Sequence, residues 1–332
     1  MDLKTRLLNA VTLKQVDRKP VACVTQTGTI EFMKASNSYW PYAHRDPDKM
    51  AKLAIAAHSI GGFENVRIPF GIHAEAEALG CKVNYYEGTY DRTPVTEPPL
   101  DNNALVRDAD PSRSKTTKTV VDAVKILNKN YPDIPVVVGV LAPFSITGHI
   151  HTVAKLMKQL IKAPDEVMKT LDFTSDFVVA YIKELEMVGA DLITLIEPIA
   201  TGENIGPVLF EKFVLPYIKK VVESAKVPTM LHICGDSTCI IPLMVRTGTK
   251  GISIDHKVSV QKAKELTMCK ASVVGNINPV DILMKKPNDL VSETIQVIKG
   301  GTDVVAPGCG LAPRTPTNNI RIVTQTVKTY SQ

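Results

Sequence analysis

A chain of 332 residues with 44% hydrophobic and 22% charged residues has the make-up of an ordinary folded protein, which excludes a largely disordered or fibrous one. Its 39 basic and 34 acidic residues leave a net charge of only +5, aromatics stand at 5%, and no dense basic block occurs, which argues against nucleic acid as a partner.

In chain order, short β-branched runs alternate with amphipathic helical stretches. A helical N-terminal extension precedes the first run, Pro20–Gln26. A helix over Asp48–Ile60, opened by Asp46-Pro47-Asp48, leads to the second run, Asn65–Phe70. A short extra strand at Lys82–Tyr86 then enters the least regular stretch, Glu87–Lys118, a long excursion after the second strand that offers itself as a docking rim, a solvated loop or an oligomer contact. A helix over Val120–Asn130 and the run Pro135–Leu141 follow. Next come a helix over Asp165–Val188, opened by Ala163-Pro164-Asp165-Glu166, the run Asp191–Glu197, a helix over Pro207–Ala225 and the run Pro228–Cys234. The run Gly251–Asp255, a helix over Ser259–Met268, the run Ser272–Ile277, a helix over Leu290–Lys299 and the run Asp303–Ala306 complete the pattern.

Each run is nearly continuous in apolar residues, as in parallel strands covered on both faces. Eight such strands alternating with helices predict an α/β fold, a single (β/α)8 TIM-type barrel, rather than an open doubly wound sheet. With no linker, repeat or low-complexity tract, one domain over residues 1–332 is expected. No membrane span is expected, because the best apolar run, Val136–Phe144, has nine residues against the roughly 18 that a membrane helix needs. The start Met1-Asp2-Leu3-Lys4-Thr5-Arg6 lacks the pattern of a secretory signal, so a cytoplasmic location is expected, where the six cysteines stay reduced.

In a barrel of this kind, the chemistry sits at the C-terminal ends of the strands. The fifth strand ends in Leu231-His232-Ile233-Cys234-Gly235-Asp236, and strand alternation points His232 and Cys234 the same way. The eighth ends in Val305-Ala306-Pro307-Gly308-Cys309-Gly310, where glycines let the backbone bend close to a ligand. One imidazole and two thiolates leave an open position on tetrahedral zinc, the pattern of a catalytic site. The plainer possibility is that buried cysteines and a strand-end histidine only fill the core. Cys239 competes with Cys309 as third ligand, though it sits where the next helix begins. Cys23, Cys81 and Cys269 have no ligand-like neighbours and are assigned to packing.

Four stretches resemble the methylcobamide:coenzyme M methyltransferases of methanogenic archaea, which belong to the uroporphyrinogen decarboxylase-like superfamily of barrels. They are Thr25-Gln26-Thr27-Gly28, Leu231-His232-Ile233-Cys234-Gly235, Val274-Gly275-Asn276 and Ala306-Pro307-Gly308-Cys309-Gly310-Leu311-Ala312-Pro313. The resemblance runs nearly end to end. It implies one zinc ion per chain on His232, Cys234 and Cys309, against Cys239, and transfer of a methyl group in methanogenesis from methylated compounds. The donor it implies is a methylated corrinoid protein, and the acceptor is the thiol of coenzyme M, 2-mercaptoethanesulfonate.

The chemistry agrees with that reaction. A free thiol, with a pKa around 8.5, is mostly protonated at neutral pH, and zinc binding deprotonates it and holds it in place. Two cysteine thiolates moderate the Lewis acidity of the metal, which suits a sulfur nucleophile better than water activation. Glu197, ending the fourth run, is expected as a fourth ligand displaced by the thiol, with Asp255 its competitor and Asp236 a helix cap. Arg67 inside the second run is a strand charge that needs a partner, either the sulfonate or a carboxylate. Gln26, Asn276 and Lys257 are further candidates for holding the sulfonate, with Ser145, His149 and His151 behind them. Two alternative readings are a cofactor-free tetrapyrrole decarboxylase, which would leave His232, Cys234 and Cys309 idle, and a corrinoid methyltransferase with another thiol acceptor.

Overall fold

The computed structural model describes residues 1–88, 93–99 and 110–330. Its strands, in chain order, are β1 (Val66–Ile68), β2 (Lys82–Val83), β3 (Val95–Glu97), β4 (Val136–Leu141), β5 (Leu192–Ile196), β6 (Thr229–Ile233), β7 (Gly251–Ile254) and β8 (Ser272–Val274). Six of them form one parallel sheet in the order β1-β4-β5-β6-β7-β8. The short β2 and β3 pair antiparallel apart from it; β2 falls at the predicted extra strand Lys82–Tyr86, whereas β3 lies within the stretch read as irregular, Glu87–Lys118. Every residue of the six parallel strands is buried, which explains their unbroken apolar runs.

The first and last predicted strands do not form ladders. They meet in isolated parallel bridges, Val21 with Val305, Val274 with Val304, and Ile277 with Pro307. Side chains replace the missing ladder bonds beside β1. Val21 N–H donates to Glu64 Oε2 at 2.9 Å, and Cys23 N–H donates to Asn65 Oδ1 at 2.9 Å. Asn65 Nδ2 returns a bond to Cys23 O at 2.9 Å, so the backbone polar groups are satisfied without regular strand geometry.

The helices follow the predicted order with shifted ends. The predicted helix over Val120–Asn130 starts earlier, at Lys115, where the Ser114 hydroxyl accepts from Thr116 N–H at 3.3 Å. The predicted Pro207–Ala225 helix starts at Pro207, where a non-helical Gly206 (φ 63°, ψ 176°) kinks the stretch Gly202–Phe213. It is then split from Leu215–Ser224, because Val214 leaves helical geometry (φ −120°, ψ −52°) just ahead of Pro216, which has no N–H to continue the first helix. The N-terminal extension is the helix Leu3–Val11, capped by Asp2. Its Leu7, Ala10 and Val11 pack against Val137, Leu192 and Met230 near the starts of β4, β5 and β6. That closes the N-terminal end of the sheet and leaves chemistry to the opposite end. No described helix is long and apolar enough to cross a membrane.

Candidate metal centre and its cavity

The C-terminal end of β6 brings His232 and Cys234 to one side, as strand alternation requires. Nε2 of His232 lies 3.2 Å from Cys234 Sγ, and Cys234 Sγ lies 3.4 Å from Cys309 Sγ. The three donor atoms all fall within 4.8 Å of one another, the one such cluster among the described residues. Cys309 is delivered by the turn after the Ile277–Pro307 bridge, where Gly308 N–H donates to Ile277 O at 2.7 Å. A Cβ at Gly308 would sit 2.7 Å from His256 N, so this close approach to the end of β7 requires glycine.

The trio fits zinc. A sulfur separation of 3.4 Å is far longer than a disulfide of about 2.05 Å. Zn–S bonds near 2.3 Å and Zn–N bonds near 2.0 Å put tetrahedral ligand atoms roughly 3.5–3.8 Å apart, close to the spacings observed. The other ring nitrogen of His232, Nδ1, is 3.0 Å from Ser253 Oγ on the neighbouring β7, which orients the imidazole with Nε2 toward the sulfurs. The adjoining Cys234 thiol, against the effect of burial and with help from His232, holds the Cys309 thiol well below the ordinary range. Such a site favours deprotonated sulfur, the form that ligates metal.

The trio lines a cavity of about 170 Å³. Arg67 and Gln26 line the same cavity, as the sequence predicts. Arg67 is only 2% exposed and forms no ion pair among the described residues. Its Nη1 donates to Pro69 O, while Nε has no protein partner. Burial lowers its pKa to about 10, still high enough to keep the guanidinium charged at neutral pH. Burial pushes the nearby Glu75 carboxyl up to about 7, and Glu75 accepts from Leu141 N–H at 3.1 Å rather than pairing with Arg67. Gln26 donates Nε2–H to Leu311 O at 2.7 Å, and its Oε1 has no protein partner.

Other predicted site residues lie elsewhere. Glu197 is not brought to the trio: the residues on either side of it, Ile196 and Pro198, line the cavity, and alternation turns Glu197 the other way. Its carboxyl accepts from Ser145 N–H at 3.1 Å and from the Ser145 hydroxyl, and burial raises its pKa to about 8. Asn276 spends both amide hydrogens on backbone, donating to Asp255 O at 2.9 Å and Val258 O at 2.6 Å. Lys257 is exposed and sits 3.9 Å from Glu203. Asp255 accepts from Lys257 N–H and lies 2.8 Å from His256 Nδ1. Asp236 accepts from Thr238 N–H at 2.9 Å in a local turn, the N-cap position of the helical turn that follows being Ser237 rather than the expected Asp236. Cys239 is exposed. Ser145 supports Glu197, His151 bonds Thr170, and His149 stands outside the cavity wall.

Three residues of the site escape the sequence reading. Ser253 is the polar residue within the otherwise apolar β7, a signal that becomes readable once β6 and β7 are neighbours. Trp40 and His44 reach the cavity from the segment between the first run and the helix Pro47–Ser59, and their sequence context carries no motif.

The uroporphyrinogen decarboxylase (URO-D) family model matches residues 2–330. A methylcobamide:CoM methyltransferase MtbA of Methanosarcina mazei is 39% identical, covering 98% of both chains. A methylcobamide:CoM methyltransferase MtaA of Methanosarcina barkeri is 36% identical over 96% of this chain and 95% of its own. Among solved structures, a methyltransferase from Methanosarcina mazei superposes with a TM-score of 0.94 at 34% identity, over 99% of this chain and 98% of the other. With these relatives spanning nearly its whole length, the chain belongs to the uroporphyrinogen decarboxylase family and, within it, to the methylcobamide:coenzyme M methyltransferases.

Proposed function

We propose that this chain transfers a methyl group from the cobalt of a methylated corrinoid protein to the thiol of coenzyme M, using zinc held by His232, Cys234 and Cys309. The observation that carries this reading is a sulfur-rich metal trio and a buried, unpaired guanidinium on the wall of one small cavity. Coenzyme M has a thiol and a sulfonate only two carbons apart, so it needs both features close together.

When bound, zinc would acidify the substrate thiol and hold its sulfur for attack on the cobalt-bound methyl group. Ser253 keeps the His232 ring turned toward the sulfurs. Arg67, a buried cation on the cavity wall, pairs with the sulfonate and fixes the far end of the molecule. Because Glu197 is bonded to Ser145, the reading leaves the fourth metal position to the substrate instead of that carboxylate. In the overall balance, the methyl–cobalt(III) bond breaks, a methyl–sulfur bond forms, cobalt leaves as Co(I), and the thiol proton goes to solvent.

The bridges that join the first run to Val305 and Val304 to Val274 support a closed eight-stranded barrel, acting as one domain. The excursion reaches the cavity wall through Thr93, which supports its role in the rim that meets the corrinoid protein; its residues 89–92 and 100–109 lie outside the described part. A tetrapyrrole decarboxylase reading would leave the trio without work.

The test is to mix zinc-loaded protein with methylcobalamin and a panel of thiols, and separately with a uroporphyrinogen. The reading expects methylated coenzyme M, formed faster than any other methylated thiol, and no decarboxylation. Decarboxylation independent of metal, or faster methylation of an uncharged thiol, would overturn it.

A further inference from the structure

A second cavity, of about 410 Å³, opens at the end of the sheet opposite the metal trio. It lies between the segment Val16–Lys19, which leads into the first run, and the ends of the helices Pro287–Lys299 and Thr317–Thr329. Four charged side chains line it, Asp17, Arg18, Lys19 and Lys328. Two of them are already met inside the protein. Asp17 accepts from Nε and Nη2 of Arg6, both at 2.7 Å, and Arg18 Nη1 donates to Glu64 Oε2 at 2.9 Å.

The two lysines are not met in this way. Neither has a carboxylate partner among the described residues. Each ammonium donates instead to a backbone carbonyl at 2.6 Å, Lys19 to Thr302 O and Lys328 to Gly62 O. An ammonium has three donors, so two N–H groups are left on each. The carboxylates whose charge they feel are held by other cations: Asp303 by Lys264 at 2.8 Å, and Glu64 by Arg6 at 3.1 Å and by Arg18. Burial lowers the pKa of both ammoniums by more than Asp303 and Glu64 raise it, so the protein under-compensates this pair of charges. Lys19 is only half-buried and Lys328 is exposed, so both are open to a ligand.

What is left over selects the ligand. Guanidinium forks match planar carboxylates, and both forks here, Arg6 and Arg18, are engaged. The remaining pair are compact point charges on two separate segments. A monocarboxylate balances one of them. A phosphate monoester carries about −1.5 to −2 at neutral pH on three acceptor oxygens, enough to balance both and to accept from both sides. The cavity is also too large for an inorganic anion alone, being of the size that holds small organic ligands. Ile298, Val327 and the Tyr330 ring give it an apolar wall for the organic part.

We infer that this cavity binds a small phosphate monoester, gripped by Lys19 and Lys328 with its organic part against Ile298, Val327 and Tyr330. The site is separate from the methyl-transfer cavity, and its occupant would tie the start of the first run to the C-terminal helix.

The test is calorimetry on the full chain with adenosine monophosphate and glycerol phosphate, two monoesters that differ in their organic part. Adenosine, succinate and inorganic phosphate are the controls that remove the phosphate, replace it with two carboxylates, or remove the organic part. At least one monoester is expected to bind, about tenfold or more tighter than each control. Lys19→Gln and Lys328→Gln, which keep a donor for the backbone carbonyl and remove the charge, should each weaken it about tenfold. Thr329→Glu, which adds a competing carboxylate at the exposed cavity wall, should do the same and serves if Lys19→Gln does not fold. No binding of either monoester at millimolar concentration would overturn the assignment. So would succinate or inorganic phosphate binding as tightly, or monoester binding that survives all three substitutions.

Discussion

At the scale of single residues, the account depends on three side chains from two distant segments. Removing one ligand from a three-ligand open site leaves too few to hold the ion. His232→Ala, Cys234→Ala and Cys309→Ala should therefore each lose most of their zinc, while Cys239→Ala, altering an exposed thiol, keeps it. Metal analysis of the four purified variants checks this, and full occupancy in Cys309→Ala would end the assignment. Ser253→Ala should weaken zinc about 10- to 100-fold by freeing the imidazole, read by competition with a chelating dye. Arg67→Leu should weaken coenzyme M by about 10-fold or more while an uncharged alkanethiol loses much less; equal losses would make Arg67 structural. The pairing of His232 and Cys234 was legible because a strand has period two. Cys309 ranks above Cys239 for its place at the end of a predicted run, and the family resemblance decides between them. The roles of Lys257 and Asn276 were not legible. Both are polar residues near strand ends, and only the folded chain shows that the Asn276 amide serves Asp255 O and Val258 O while Lys257 points to Glu203. Residue type gives the capacity to bind, and local backbone competition decides its use.

At the scale of elements, the sheet stands on a polar knot under the N-terminal helix. Glu64, 3% exposed, joins Arg6 at 3.1 Å, Arg18 and the backbone N–H of Val21 at 2.9 Å. It thereby ties the N-terminal helix Leu3–Val11 to the first run and β1. Removing one partner of a buried ion pair leaves an uncompensated charge, so Glu64→Ala should cost about 3–5 kcal/mol in denaturant unfolding. Burial alone would raise the Glu64 pKa, but the Arg18 hydrogen bond, the Val21 N–H and the two guanidinium charges bring it below 4.5 on balance. A carboxylate with a depressed folded pKa gives stability that is full above its unfolded value and is lost as pH falls through the folded one. Wild-type protein should therefore lose stability as the pH drops below about 4.5, and Glu64→Gln should lose less over the same range, compared by unfolding midpoints at pH 7 and pH 4. An identical acid dependence in both would contradict this role. The apolar runs made six strands legible, but not the bridged state of the first and eighth, because Glu64 and Asn65 side chains take over backbone bonds that no hydrophobic pattern records. The helix break at Val214 was readable in principle from Pro216, whose missing N–H outweighed the amphipathic period.

At the scale of the whole molecule, one end of the sheet is sealed by Leu7, Ala10 and Val11, and the other opens into the cavity lined by His232, Cys234, Cys309 and the buried Arg67. On the proposed function, a two-carbon thiol sulfonate would lie in one direction here, with sulfur toward Cys234 and Cys309 and sulfonate toward Arg67. The central claim is that a thiol arriving protonated is bound there as a thiolate. Calorimetric titration of the zinc-loaded protein with coenzyme M, in two buffers of different ionisation enthalpy, measures the proton count directly. With a free thiol pKa near 8.5, close to one proton per site should be released at pH 7, fading as the pH rises past that value. Tight binding with the same heat in both buffers, and hence no proton released at pH 7, would contradict the account.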